Sequence, residues 1–125
     1  MKSSVTKIFK FEMAHQLKNS YSKECQEIHG HGYRLEVTFE GPIDGDGFVI
    51  DFKRIKEMVN PIVEYFDHNF ITAISFGNYL EVGFDVNPTA ENMAHYIFKM
   101  IRKQTTLIKN VRLWETATSF TDVGY

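Results

Sequence analysis

From Tyr33 to Phe39 apolar and polar side chains alternate, with Tyr33, Leu35, Val37 and Phe39 set against Arg34, Glu36 and Thr38. A period of two marks a strand with one buried face, so a strand is expected from about His31 to Glu40. His29-Gly30-His31 leads into it. In extended chain alternate side chains project to one side, which points both imidazoles the same way with only Gly30 between them. Such a pair is a two-pronged grip for a metal ion. Neutral imidazole binds zinc at about 2.0–2.1 Å, and three protein ligands with one open position make the catalytic arrangement rather than the structural one. A third ligand is therefore needed.

A candidate lies upstream. From Val5 to His15 the chain carries Ile8, Phe9, Phe11 and Met13 without Pro or Gly, which reads as a first strand ending at Ala14-His15. Residues 16 to 24 are polar and lack a helical period, so they read as a loop returning Cys25 toward His15. An antiparallel pairing of the two strands would bring His15, His29 and His31 to one edge. Cys25, the only cysteine, falls within the same short stretch. It has three readings: a reactive thiolate near a cation, a fourth zinc ligand closing a structural site, or a small buried apolar residue.

Further along, Gly41 to Gly47 is dense in turn formers, and Phe48-Val49-Ile50 reads as a short strand. Asp51 is placed to cap a helix whose apolar positions Phe52, Ile55, Met58, Val59, Ile62, Val63 and Phe66 fall at helical spacing. Pro61 inside it predicts a kink or break. Asp67-His68-Asn69-Phe70 follows. Residues 71 to 87, with Gly77, Asn78, Gly83 and Asn87, fit no single period and read as a long loop or hairpin. Asn87-Pro88-Thr89 starts a second helix with Pro in its first turn and Met93, Ala94, Ile97, Phe98 and Ile101 as its buried stripe. His95 lies on the solvated side of that helix. Ile108 to Phe120 reads as one long last strand with Trp114-Glu115-Thr116 in its middle. The expectation is an α+β chain, residues 1–125 as one domain, with two helices covering one face of a four-stranded antiparallel sheet. Its open edges predict oligomerisation.

Composition narrows the function classes. Fourteen basic and sixteen acidic residues give a formal charge of −2, which is no footprint for nucleic acid or an anionic membrane surface. No apolar run approaches the roughly 20 residues of a membrane span. A single cysteine and an N-terminus without a signal-peptide pattern fit a reducing cytoplasm.

Taken together, Phe11-x-Met13-Ala14-His15, Cys25-x-x-x-His29-Gly30-His31, Asp67-His68-Asn69-Phe70, Pro88-Thr89-Ala90-Glu91-Asn92 and Trp114-Glu115-Thr116 resemble the 6-pyruvoyl-tetrahydropterin synthase family over nearly the whole chain. Five motifs in order are far more specific than any one alone. The resemblance implies the tunnelling fold (T-fold), with the sheets of several subunits joined into a barrel as a hexamer or tetramer and each active site shared between subunits. It implies that His15, His29 and His31 hold zinc, that Cys25 takes a proton, and that Asp67 and His68 relay protons. Glu115 would anchor the amino-pyrimidine edge of a pterin, with Thr89 and Glu91 near the same pocket. Three residues between Cys25 and His29 look like the bacterial branch that converts 7,8-dihydroneopterin triphosphate to 6-carboxytetrahydropterin, acetaldehyde and triphosphate for 7-deazaguanine and queuosine synthesis. A biopterin-type synthase and a non-catalytic pterin- or purine-binding oligomer are the alternatives. Relatives that cleave dihydroneopterin toward folate carry a glutamate replacing or supplementing the cysteine, whereas Gln26 follows Cys25 here and Glu27 comes one residue later. The triphosphate would meet lysines among Lys7, Lys10, Lys18 and Lys23.

Overall fold

The computed structural model describes residues 1–18 and 26–125. In chain order these form β1 (Lys2–Gln16), β2 (His29–Pro42), α1 (Phe52–Phe66), β3 (Phe70–Thr72), α2 (Ala73–Leu80), α3 (Ala90–Arg102), β4 (Ile108–Thr116) and β5 (Ser119–Gly124). The strands make one sheet in the order β3-β1-β2-β4-β5. All neighbours are antiparallel except β1 and β3. The α+β layout matches the sequence expectation, but among the described residues there are five strands rather than four and three helices rather than two.

The period-two pattern of β1 and β2 sorts their side chains as expected. Phe9, Phe11 and Met13 of β1 and Tyr33, Leu35, Val37 and Phe39 of β2 are buried, while the alternate positions face away from the core. Val111 and Leu113 extend this face onto β4. Against it pack the stripes of α1 (Ile55, Met58, Val59, Ile62 and Phe66) and α3 (Met93, Ala94, Ile97 and Ile101). A fully buried side chain of this size contributes about 1.5–3 kcal/mol, so this layer is what orders the sheet that carries the site.

Local signals set the helix boundaries. Asp51 caps α1 by accepting from the Lys53 amide at 2.8 Å. Pro61 does not break α1: it sits on the exposed side, and the buried stripe runs past it from Ile55 to Phe66. Thr89 caps α3 by accepting from the Asn92 amide, so Pro88 lies just outside the helix rather than in its first turn.

Three readings of the sequence are corrected. Residues 71–87 are not one loop. Phe70–Thr72 adds a short parallel strand beside β1, and Ala73–Leu80 forms a helix closed by a reciprocal Thr72–Ser75 capping box. Gly77, which suggests a turn, is needed for close approach instead: a Cβ there would lie 2.1 Å from the Phe84 carbonyl oxygen. The last strand is a hairpin, β4 turning at residues 117–118 into β5, and Phe48-Val49-Ile50 is not a strand. The polar loop expected over residues 16 to 24 lies mostly outside the described residues.

Candidate metal centre and the adjacent groove

His15 and His29 are direct partners in the β1–β2 ladder, and His31 pairs with Met13 two rungs on. All three imidazoles project from the core-side face, at the end where the apolar filling stops. His15 is completely buried. Its Nδ1–H donates to the Pro88 carbonyl at 2.9 Å, and the Nδ1–H of His29 donates to the Glu27 carbonyl at 2.8 Å. A carbonyl can only accept, so these bonds fix both tautomers and leave both Nε2 atoms with free lone pairs. Backbone anchoring of a ring's second nitrogen is also how metal-ligating histidines are oriented.

The Nε2 atoms so exposed face each other at 2.7 Å. Two acceptors at that distance repel unless a proton or another cation lies with them. A proton on His15 is disfavoured, because burial pushes its pKa down to about 4, with the neighbouring His29 and His31 adding to the effect and the Pro88 contact opposing it. Burial lowers the pKa of His31 as well. The His31 Nε2 is shielded from solvent and has no hydrogen-bond partner, although Glu115 Oε1 lies 3.1 Å away. Glu115 Oε1 is also 3.6 Å from His15 Nε2. One ligand atom from each of His15, His29, His31 and Glu115 therefore falls within 4.8 Å of every other. This donor set fits a metal ion: the lone pairs are aimed at one another, one buried nitrogen is orphaned, and three imidazoles with a carboxylate suit a borderline divalent cation such as zinc.

Long-range pairing brings in Glu115. The β2–β4 ladder ends at Arg34–Trp114, and the β4–β5 register shifts between Trp114 and Thr116, leaving Glu115 as the extra residue of a bulge. Bulges re-aim side chains, and here the carboxylate turns into the histidine cluster. Its sequence reading as an anchor for ligand did not place it there. Two further participants carry no sequence signal: the Pro88 carbonyl, and the buried Tyr33 hydroxyl 3.4 Å from His15 Nδ1. Burial raises the Tyr33 pKa well above the usual phenol range, so it stays protonated.

Asp67 and His68 lie beside this centre without joining it. Asp67 Oδ1 accepts from the Glu12 amide at 3.1 Å and sits 3.5 Å from His68 Nε2, while the His68 amide donates to the Glu12 carbonyl at 2.7 Å. Among the described residues no hydrogen bond or ion pair connects the two to the histidine cluster. They line a groove of about 620 Å³ with Lys10, Glu12, Arg34 and Trp114, residues of the sheet face turned away from the helices. A second groove, of about 510 Å³, is bordered by both His31 and His68.

Thr89 uses its hydroxyl to cap α3, next to the Pro88 carbonyl that holds His15, and Glu91 is exposed in the first turn of that helix. Lys10 borders the larger groove, Lys18 is paired with Asp85, and Lys7 lies over the Phe9 ring. Cys25 and Lys23 lie outside the described residues. Among the described residues no helix is long and apolar enough to cross a membrane.

Comparison with known proteins agrees with this arrangement. Residues 4–124 match the 6-pyruvoyl tetrahydropterin synthase family. The chain is 34% identical to 6-carboxy-5,6,7,8-tetrahydropterin synthase of Haemophilus influenzae, covering 93% of this chain and 94% of that one. It is 35% identical to the dihydroneopterin monophosphate aldolase of Pyrococcus furiosus, covering 92% and 91%. Its fold superposes on 6-pyruvoyl tetrahydropterin synthase of Caenorhabditis elegans with a TM-score of 0.82, over 100% of this chain and 96% of that one at 20% identity. That likeness establishes the T-fold. A match over nearly every residue, together with relatives at this identity, shows that the chain belongs to the 6-pyruvoyl tetrahydropterin synthase family.

Proposed function

We propose that the protein is a zinc-dependent 6-carboxy-5,6,7,8-tetrahydropterin synthase of the cytoplasm, acting on 7,8-dihydroneopterin triphosphate in 7-deazaguanine and queuosine synthesis. The observation that carries the metal-dependent reading is the convergence of His15, His29 and His31, whose free nitrogens face one another with Glu115 beside them. The product assignment is supported by the Haemophilus influenzae relative and by the three-residue spacing from Cys25 to His29.

In this reading His15, His29 and His31 hold zinc, which when bound supplies Lewis acidity to the hydroxyl oxygens of the substrate side chain and so acidifies the neighbouring C–H. The chain's own groups do the rest. Cys25 takes the proton in its thiolate form. Asp67, itself fixed by the Glu12 amide, orients His68 to move protons between ring and side chain. Glu115 accepts from the amino-pyrimidine edge, a planar two-point recognition for which a carboxylate is stronger than a neutral side chain. The family resemblance would put Thr89 and Glu91 near the same pocket. Loss of triphosphate and hydrolytic cleavage of one carbon–carbon bond, in which water supplies the second carboxylate oxygen and the two-carbon fragment leaves as acetaldehyde, complete the conversion.

The protein acts in this proposal as a homo-oligomer, a hexamer or tetramer, with Asp67 and His68 of one subunit serving the metal centre of another. Two features support it: the sheet ends in unpaired edges at β3 and β5, and the pair has no bond to the centre of its own chain among the described residues.

The similarity to the Pyrococcus furiosus aldolase favours one second reading, cleavage of a dihydroneopterin monophosphate. An aldol cleavage of the side chain would leave a hydroxymethyl group on the pterin. Incubating the zinc-loaded protein with dihydroneopterin triphosphate and, separately, with the monophosphate, followed by mass spectrometry, separates the two. 6-Carboxytetrahydropterin and acetaldehyde from the triphosphate are expected. A hydroxymethylpterin from the monophosphate, with the triphosphate unchanged, would replace the first reading by the second.

A further inference from the structure

Glu115 has two claims on it that one conformation cannot meet. Its proposed partner in the substrate is the amino-pyrimidine edge, yet its Oε1 stands 3.1 Å from His31 Nε2 and 3.6 Å from His15 Nε2. The reacting side chain of a pterin leaves the bicycle at the end opposite that edge, with two fused rings between them. If the side chain is at the metal, a carboxylate still within ligand distance of the metal is too close to reach the far edge.

We propose that Glu115 is a switching ligand: its carboxylate completes the metal centre while no pterin is bound and leaves it for the amino-pyrimidine edge when one enters. Four donors are what a closed tetrahedral zinc site requires, and bonds of about 2.0–2.1 Å put neighbouring donors about 3.3 Å apart. The separations of 2.7 Å for His15–His29, 3.1 Å for His31–Glu115 and 3.6 Å for His15–Glu115 bracket that value, and every pair of the four lies within 4.8 Å. Among the described residues no lysine or arginine forms an ion pair with Glu115, so no fixed cation holds the carboxylate in place. The bulge gives it freedom to move: Glu115 lies past the end of the β2–β4 ladder and between the last two rungs of β4–β5. The contrast with its neighbour is clear, since the Glu115 side chain is 29% exposed and that of His15 is wholly enclosed. The switch would keep water and stray anions off the metal in the resting protein and tie opening of the metal to recognition of the correct heterocycle.

This rests on the metal-binding part of the proposed function and not on the identity of the product. The full-length protein, stripped of metal, is titrated with Co²⁺ and followed by visible absorption, for the wild type, Glu115→Gln and Glu115→Asp. Loss of an outer partner of a metal site weakens affinity by about 10- to 100-fold. Loss of a direct ligand in Glu115→Gln is expected to cost at least as much, with a changed ligand-field spectrum. Glu115→Asp keeps the charge but draws the oxygen back by one methylene. It should resemble Glu115→Gln if the carboxylate binds the metal, and the wild type if only its field matters, which would overturn the proposal. Adding 6-methylpterin, which has no side-chain oxygens, should move the wild-type spectrum toward that of Glu115→Gln and leave the variant's unchanged. Equal affinity and spectra across the three proteins would remove the switch while leaving the metal centre standing. A wild type that takes up no Co²⁺ would remove both.

Discussion

His15, His29 and His31 project inward from two paired strands, with the rings of His15 and His29 tied to backbone carbonyls, and His15 is wholly buried. His68 is built in the opposite way. Its side chain is 77% exposed, it follows α1 rather than sitting within a strand, and its backbone is left-handed at φ 58°. The first group is gathered within one chain, and two of its three rings have their orientation set by backbone carbonyls before any metal arrives. The second is held by its backbone and displayed outward, as suits a group whose partner comes from elsewhere. A non-glycine residue at such a φ costs of order 1 kcal/mol, and strain of this kind is kept where the surrounding structure imposes it. In the proposed function, metal capture and proton movement would thus draw on different resources: burial and sheet register for one, a strained and accessible corner for the other.

The most severe way to break this contrast is His15→Ala. It removes a proposed ligand and leaves the Pro88 carbonyl without its donor, so metal content and turnover should both fall to background in metal analysis and product assays. His68→Ala should separate the two readouts, lowering turnover by about 10²–10⁴-fold, the usual contribution of a positioned acid–base group, with metal content unchanged. Mixing these two inactive variants and letting subunits exchange should restore activity. Failure to do so, with exchange confirmed, would place the Asp67–His68 pair in service of its own chain.

A pH experiment sharpens the difference in burial. The His15 pKa is depressed from its ordinary value of 6.5 to about 4 in the folded chain, so the unfolded chain binds more protons between those values. Stability of the metal-free protein should therefore be full above about pH 6.5 and decline as the pH falls toward 4. The most this group can contribute is on the order of 3 kcal/mol, from 1.36 kcal/mol per pH unit. Urea midpoints across that range check it, and His15→Gln should flatten the curve. The smallest expected effect is at the exposed corner. His68→Gly relieves the left-handed backbone and should raise stability by roughly 1 kcal/mol, offset in part by the greater entropy of the unfolded chain, while activity is still lost. A drop in stability there would mean that His68 is structural.

Much of this was legible in local patterns. The alternation in β1 and β2 put the three histidines at one edge, and the helical periods located α1, with its cap at Asp51, and α3, whose cap at Thr89 falls one residue past the proline expected in its first turn. The misreadings share a cause. Gly77 and Asn78 carry the local signature of a turn, yet they lie in a helix, and residue 77 is glycine because the chain at Phe84–Asp85 passes too close for any side chain. The β4–β5 turn at Ala117-Thr118 lacks Gly, Pro or Asn, so the Thr-rich alternation runs through it without a visible stop.

By itself, the sequence determined which residues could become metal ligands and which faces of strand and helix they would share, because side-chain direction follows from backbone period alone. Only the tertiary structure decided that Glu115 would stand among those ligands and that Asp67 and His68 would stand apart. Both depend on where distant segments meet. The register of β4 against β2 and the bond from His68 to the Glu12 carbonyl are contacts between residues far apart in the chain, and the bulge at Glu115 arises in a hairpin whose turn carries no local stop signal, so no local period encodes them.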